Sequence, residues 1–302
     1  MRSNLVLGAT GAVGQFLLPL LVAHGEHVIG VSRDPQALTK AVEWLRGDLF
    51  SAMPQLPSVD VVYSLGPLDA FADWLPRALD AQARAPARAA PMRILALSSM
   101  SAQSKQESID AAERQLAARL AAAEERLFAC ARERGIACTI FRPTLIYGAG
   151  RDASLAPLAR FARRWHVLPI PRGASGLRQP VHAADLATAC LAARDVSATF
   201  GNTYALGGGE RLRFDAMFAR IAEASCAMAV PVPLALVRAA ARLARGRAPG
   251  AGALARMLLD LVADNAPAAR DFGYAPREFV AADVPGPASA GATAIGAKKR
   301  QV

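Results

Sequence analysis

The stretch from Asn4 to Gly14, Asn-Leu-Val-Leu-Gly-Ala-Thr-Gly-Ala-Val-Gly, constrains this chain more than any other. Leu5, Val6 and Leu7 make an apolar run of the length of a buried parallel strand. Gly8, Gly11 and Gly14 follow at three-residue spacing, and Gln15 to Ala23 reads as the start of an apolar helix. Strand, glycine turn and helix in that order form a phosphate cradle. The first glycine lets the chain turn tightly, the second lets backbone approach a pyrophosphate, and the third lets helix pack close on strand. The helix N-terminus adds free N–H donors and positive partial charge. The strand–turn–helix context separates this stretch from a chance three-glycine match.

The pattern beyond it alternates. His27 to Val31 reads as a second strand, ending at Ser32-Arg33-Asp34-Pro35. A residue at this strand end reads the adenosine ribose in such a cradle. An acid binds the 2′-hydroxyl of NAD, whereas an arginine accommodates the 2′-phosphate of NADP. Ser32 stands in the acid's place and Arg33 follows it, which favours NADP over NAD. Asp34, just before Pro35, reads as a cap for the next helix. Val59 to Leu65 and Arg93 to Leu97 are further apolar runs. Ala111 to Arg134 is one long helix with paired charges at helical spacing, stopped by Gly135, and Ala137 to Arg142 is another strand. This alternation, without a solenoid repeat, predicts an α/β doubly wound parallel sheet.

Past Pro143 prolines break the chain into short pieces. Asp185 to Ala193 and Phe214 to Ala224 read as helices, Thr203 to Leu206 as a short strand, and Val230 to Arg247 as a basic, apolar helix. That last segment suits a packed lobe helix, with a membrane-surface helix as the alternative. The organisation expected is a dinucleotide-binding core over residues 1–150, a smaller C-terminal α/β lobe over 151–283 interleaved with the last core strands, and a disordered Gly/Ala/Pro/Ser tail over 284–302.

The chain has 302 residues, enough for one large α/β unit with an appended lobe. Its hydrophobic content is 53%, yet much of that is alanine, and no window of eighteen apolar residues lacks charge. The N-terminus enters a strand almost at once, so neither an integral membrane segment nor a signal peptide is expected. Four scattered cysteines (Cys130, Cys138, Cys190, Cys226) in no metal-like spacing read as buried free thiols of a reducing, cytoplasmic compartment. The net charge of +10 is almost all arginine on alanine-rich helices, with no aromatics interleaved. It does not read as a nucleic-acid face.

These stretches together resemble the short-chain dehydrogenase/reductase superfamily, in its extended or atypical branch, the NAD-dependent epimerase/dehydratase type, over roughly residues 4 to 280. Gly8-Ala-Thr10-Gly11-Ala12-Val13-Gly14 looks like the family's glycine motif, and Gly47-Asp48-Leu49 like the segment whose aspartate faces adenine. Leu65-Gly66-Pro67 is similar to the loop after the fourth strand. Arg142-Pro143-Thr144-Leu-Ile-Tyr147-Gly148 is similar to the segment beside the nicotinamide, and Pro180-Val-His182-Ala-Ala-Asp185-Leu-Ala and Gly201-Asn-Thr-Tyr to segments further on. The resemblance implies a Rossmann fold. It implies cofactor contacts from Gly8, Thr10, Gly11, Ala12, Val13, Gly14, Ser32, Arg33, Asp48, Leu49, Leu65, Gly66, Ser98, Pro143 and Thr144, no metal, and a homodimer paired through helices flanking the sheet.

In that family a serine after the fifth strand polarises the substrate, and a Tyr-x-x-x-Lys pair on the next helix moves the proton. The lysine and the cofactor lower the phenol's pKa from about 10. No tyrosine of this chain has lysine four residues on. Aligning Glu124 with the glutamate that follows the pair puts Leu116 and Leu120 in its place. Met100 falls at the serine position, flanked by Ser99 and Ser101, which stand as the catalytic candidates. Lys105 lies in the following loop. His182 and Asp185 read as structural, at a strand end and a helix start. Two functions follow from the resemblance. One is an oxidoreductase- or epimerase-like enzyme on a small or nucleotide-sugar-type substrate without the usual tyrosine. The other is an inactive NADP(H)-binding regulator or assembly protein, as among atypical members that sit within larger complexes, including an accessory subunit of respiratory complex I.

Overall fold

The computed structural model describes residues 1–34, 41–84, 90–152, 154–233, 235–236 and 256–286. Seven strands form the central sheet: β1 (Ser3–Leu7), β2 (His27–Ser32), β3 (Glu43–Arg46), β4 (Val61–Ser64), β5 (Arg93–Leu97), β6 (Ala137–Pro143) and a late strand, Thr203–Leu206. Every pairing is parallel, and the spatial order is β3-β2-β1-β4-β5-β6 followed by the late strand. The order reverses between β1 and β4, which opens a crevice at their carboxyl ends.

Side-chain alternation explains the layers. Leu5 and Leu7 of β1 pack towards one face and Val6 towards the other, because successive Cβ atoms point to opposite sides. On the Val6 face lie α1 (Gly14–Ala23), with Leu17 and Leu21 fully buried, and a later helix, Ala183–Ala193. On the Leu5 face lie α2 (Leu68–Ala83), through Phe71 and Leu75, and, past the one-turn helix α3 (Ser101–Ser104), the long helix α4 (Ala111–Glu133), through Ala123 and Leu127. Each fully buried leucine contributes ~1.5–3 kcal/mol. Asp110 caps α4 by accepting from Ala112 N at 2.9 Å, and Gly135 ends it at φ 66°.

A third cluster makes the smaller lobe. It joins Tyr147 of β7 (Ile146–Tyr147), Ala159 and Ala162 of α5 (Ala156–Trp165), Leu168 of β8 (Val167–Arg172) and Met217 and Ile221 of the helix Phe214–Ala224. The two-residue strands β9 (Leu177–Arg178) and β10 (Val181–His182) lead into Ala183–Ala193, which is α6. The late sheet strand Thr203–Leu206 is then β11, Leu212–Arg213 is β12, Phe214–Ala224 is α7, Met228–Pro233 is β13, and Ala266–Phe272 is α8.

Three expectations change. The start of the basic segment, Val230 to Pro233, is strand and not helix: β13 pairs in parallel with β8, Met228 with Val167 through Pro233 with Arg172. Proline at every second position forbids helix but suits a short outlying pair. Residues 237–255, where the remainder was expected to be helical, lie outside the described residues, as does the helix expected after Asp34. The second change is Cys226, which is exposed at φ 52° while the other three thiols are buried. The packed chain also continues past the expected tail boundary, since Val284 is fully buried in the lobe. Residues 287–302 lie outside the described residues.

Candidate functional site

The glycine turn closes as its spacing predicts. Gly8 takes φ 75°, and a Cβ there would lie 3.0 Å from Gly66 N, so the turns after β1 and β4 press backbone to backbone. Gly11 N donates to Gly8 O at 2.8 Å. A Cβ on Gly14 would lie 2.3 Å from Ala9 O, so only glycine lets α1 start this close to β1. No side chain caps α1 and no acid stands in its first turn. Gln15 N and Phe16 N donate to Gly11 O and Val13 O at 3.3 and 3.0 Å, and the positive end of the α1 dipole stands beside the turn with no side-chain carboxylate to neutralise it.

Beside this turn lies a cleft of about 300 Å³. Nine of the fifteen residues expected from sequence line it: Gly8, Thr10, Gly11, Ser32, Arg33, Asp48, Leu49, Leu65 and Gly66. Ser32 Oγ closes its own turn, donating to Asp34 O at 3.1 Å, so no carboxylate occupies its position. Arg33 is exposed, and Arg46 Nε donates to its carbonyl at 3.2 Å, which sets two guanidinium-bearing residues at the end of β2. Asp48 Oδ1 accepts from Phe50 N at 3.0 Å. Arg151 reaches the turn from the lobe side, its Nη1 donating to Thr10 O at 2.6 Å.

The other expected residues sit elsewhere. Ala12 and Val13 pack into the α1-side core, with Val13 buried. Ser98 donates its hydroxyl to Glu124 Oε1, a short contact. Arg142 Nε reaches the two oxygens of the same carboxylate at 3.0 and 3.1 Å. This Ser98–Glu124–Arg142 cluster is missed by sequence reasoning as a unit, although Arg142 precedes the Pro143 motif and Glu124 marks the helix register. Pro143 O accepts from Met100 N at 3.0 Å, and Thr144 N donates to Leu206 O at 2.9 Å, which ties the serine loop to the β6 end. Leu7, Val31, Phe50 and Met53 also line the cleft and are missed, while Gly47 and Pro67 belong to the quoted motifs. Leu7, Val31 and Phe50 each adjoin a named residue, whereas Met53 carries no such signal.

Leu116 and Leu120, expected from the sequence at the positions of the tyrosine and lysine, are hydrocarbon. Leu116 and Leu120 are half-buried on α4, and Leu120 packs against the core on the α2–α4 face. Ser99 and Ser101 are half-buried on the loop into α3, with Ser101 N donating to Ser99 Oγ at 3.1 Å. All four tyrosines are committed elsewhere. Tyr147 OH accepts from Val280 N at 3.1 Å, and burial pushes its phenol up. Tyr204 OH donates to Asp271 Oδ2 at 2.7 Å, and burial together with that carboxylate pushes it up to about 12. Tyr274 OH donates to Gly207 O at 2.9 Å, and burial raises both it and Tyr63. None approaches the neutral range that a tyrosine acid/base needs. His182 is structural: its Nδ1 accepts from Ala184 N at 3.1 Å at the start of α6, and its ring meets that of Tyr147. Asp185 is held by Arg277 Nε at 2.8 Å. Lys105 ends α3 half-buried, and burial and then Arg256 hold its pKa below the usual lysine range.

With this geometry in view, comparison with known proteins places the chain in a class. The sequence profile of the NAD dependent epimerase/dehydratase family matches residues 4–207, and the chain belongs to that family. Among curated proteins it is 28% identical over 262 residues to the mitochondrial NADH dehydrogenase [ubiquinone] 1 alpha subcomplex subunit 9 of Arabidopsis thaliana, covering 78% of this chain and 62% of that protein. The chain thus spans less than two thirds of that relative's length. Two solved structures share the fold at low identity. MoeE5 in complex with UDP-glucuronic acid and NAD is 18% identical, with a TM-score of 0.69 over 93% of this chain and 96% of that one. UDP-glucuronic acid 4-epimerase from Bacillus cereus in complex with NAD is 16% identical, with a TM-score of 0.69 over 94% of each. Among the described residues, no helix is long and apolar enough to cross a membrane.

Proposed function

We propose that this protein binds a nicotinamide dinucleotide across the β1–α1 turn and does oxidoreductase-like chemistry on a small or nucleotide-sugar-type substrate, without the tyrosine–lysine pair. The observation that carries the reading is the fit of the turn to a diphosphate. Gly8 takes φ 75°, a Cβ on Gly14 would collide with Ala9 O, no side chain caps α1, and the cleft beside the turn is lined by Ser32, Arg33 and Asp48, the residues expected to meet the ribose and the adenine.

The residues at the β2 end favour NADP(H). Ser32 replaces the acid that would hold a ribose 2′-hydroxyl, and the exposed Arg33 offers a charge to a 2′-phosphate. The two solved structures above are NAD complexes, so this preference rests on the chain's own residues. When bound, the group supplies hydride exchange at its nicotinamide ring. Ser99 or Ser101 then holds a substrate oxygen by a hydroxyl hydrogen bond, and the proton comes from water or substrate, since Leu116 and Leu120 carry none. Glu124 is occupied by Ser98 and Arg142, and in this reading it braces the strand ends. Buried, unpaired Cys130, Cys138 and Cys190 suit a reducing compartment such as the cytoplasm.

A second reading has its own support. Hydrocarbon at both proton-handling positions fits a protein that holds the dinucleotide without turning it over, as a regulator or assembly component. Mixing the protein with NADPH and a panel of sugar nucleotides, quinones and small carbonyls separates the two. Absorbance change that falls in Ser99→Ala or Ser101→Ala supports the enzyme. Saturable NADPH binding with no turnover across the panel supports the second reading.

A further inference from the structure

Between Asp152 and Asp185 the chain carries no acidic residue, yet it places Arg160, Arg163 and Arg164 on α5 and Arg172 at the end of β8. All four are exposed. Arg160 Nη1 donates to Gly150 O at 3.2 Å, but among the described residues none of the four guanidiniums meets a carboxylate. Elsewhere on the surface such charges are paired: Arg119 with Asp69, Arg126 with Asp73, Arg213 with Asp215 and Arg277 with Asp185. This edge of the lobe therefore keeps an unneutralised positive field that attracts anions.

The same helix exposes large apolar side chains. Ala156, Ala159 and Ala162 turn one face into the lobe, because positions three apart share a side. Phe161 and Trp165, four apart, stand together on the outer arc, with ring centroids 6.5 Å apart and exposures of 43% and 60%. The Arg164 guanidinium lies 5.0 Å from the Trp165 ring centroid. Met228 opens β13 beside the end of the helix: its N donates to His166 O at 2.9 Å, and it is 67% exposed. Two rings and a methionine left in water mark a contact surface when they sit together and charge rims them. At about 3.6 residues per turn, Arg160 and Arg164 fall on one side of the exposed arc and Phe161 and Trp165 on the other. A free anion would satisfy the arginines and leave the rings wet. A nucleic-acid strand calls for rings interleaved with cations along a track. Cations on one side and rings on the other is the arrangement of a helix lying in the plane of a bilayer surface.

We propose that this face of the lobe docks on an anionic lipid bilayer. Phe161, Trp165 and Met228 enter the boundary between headgroups and acyl chains, and Arg160, Arg163, Arg164 and Arg172 meet the lipid phosphates. The contact is peripheral and leaves the dinucleotide cleft open. It stands independently of the function proposed above.

Co-sedimentation of the full chain with vesicles tests this, comparing phosphatidylcholine alone with phosphatidylcholine mixed with phosphatidylglycerol. The protein binds the anionic vesicles ~10-fold or more tightly than the neutral ones, added salt weakens the binding, and tryptophan emission shifts to the blue. Phe161→Ser with Trp165→Ser lowers anionic-vesicle binding by ~10-fold and removes the blue shift. Arg160→Gln with Arg164→Gln lowers the binding by ~10-fold as well. Arg77→Gln with Arg132→Gln, which removes the same charge from α2 and α4, leaves it unchanged. All six residues are exposed, and an unchanged melting temperature certifies folding. Equal binding to neutral and anionic vesicles overturns the proposal, as does an equal loss in the α2 and α4 control, or binding untouched by both α5 variants. Single-stranded RNA bound through the same residues by a protein that ignores vesicles assigns the face to nucleic acid and overturns it too.

Discussion

The two ends of the crevice over this sheet have had different fates. At the β1–β2 end the cradle is intact, because its working parts are backbone: a φ of 75° at Gly8, a helix start against Ala9 O, and the uncapped start of α1. At the β5–α4 end the working parts of the family are side chains, and the residues expected from the sequence in their place are Leu116 and Leu120. Beside the half-buried Ser99 and Ser101, the polar cluster of Ser98, Glu124 and Arg142 is closed on itself. The contrast teaches that binding and chemistry separate easily in such a fold. A cradle built from glycines cannot lose one without a backbone collision, whereas a proton relay can be replaced by hydrocarbon at no cost in packing.

The contrast can be broken most severely at Glu124. Its side chain is 5% exposed, so Glu124→Ala leaves the Arg142 guanidinium half-buried and unpaired. A loss of about 3–5 kcal/mol in denaturant unfolding is expected. A loss within 1 kcal/mol would mean that the cluster does not brace the strand ends. At the other end, Gly14→Val drives a Cβ into Ala9 O and should weaken NADPH binding by ~100-fold or more, measured by fluorescence titration. Wild-type affinity in that variant would dissolve the distinction between the two ends.

Smaller effects sharpen it. Leu120→Lys puts a charge where hydrocarbon packs on the α2–α4 face and should cost about 1–2 kcal/mol in unfolding free energy. Arg33→Ala should reduce the NADPH-over-NADH affinity ratio by ~10-fold, and an unchanged ratio would remove the ribose argument. The smallest effect concerns pH. Burial first, then Arg277, hold the His182 pKa below its usual 6.5. The unfolded chain therefore takes up that proton before the folded one does. Stability is fully present above about pH 6.5 and falls as the pH drops towards the lower folded value. A flatter acid limb in His182→Gln, followed by thermal melts between pH 7 and pH 5, is the expected result.

Much of this was legible in the sequence where one element carries its own signal. The glycine turn, β5 at Arg93–Leu97, β11 at Thr203–Leu206 and α7 at Phe214–Ala224 stand at the residues their patterns mark. Nine cleft residues were recoverable because each sits at the carboxyl end of a strand or just beyond it. What stayed hidden depends on partners distant in the chain. Val230-Pro-Val-Pro reads as the front of a basic apolar helix until β8, itself laced with prolines, supplies the other half of a parallel pair. Glu124 and Arg142 are eighteen residues apart, on a helix and a strand, so their ion pair has no local period. A cavity in the smaller lobe is invisible for the same reason, since its walls come from six separate segments between Ser104 and Leu261.

The central claim is that a dinucleotide is held by an intact cradle above a site without a tyrosine. Titrating the full wild-type chain with NADPH, and in parallel with NADH, by isothermal calorimetry tests it most directly. The account predicts saturable binding of one dinucleotide per chain, tighter for NADPH. No heat of binding from either dinucleotide would contradict it.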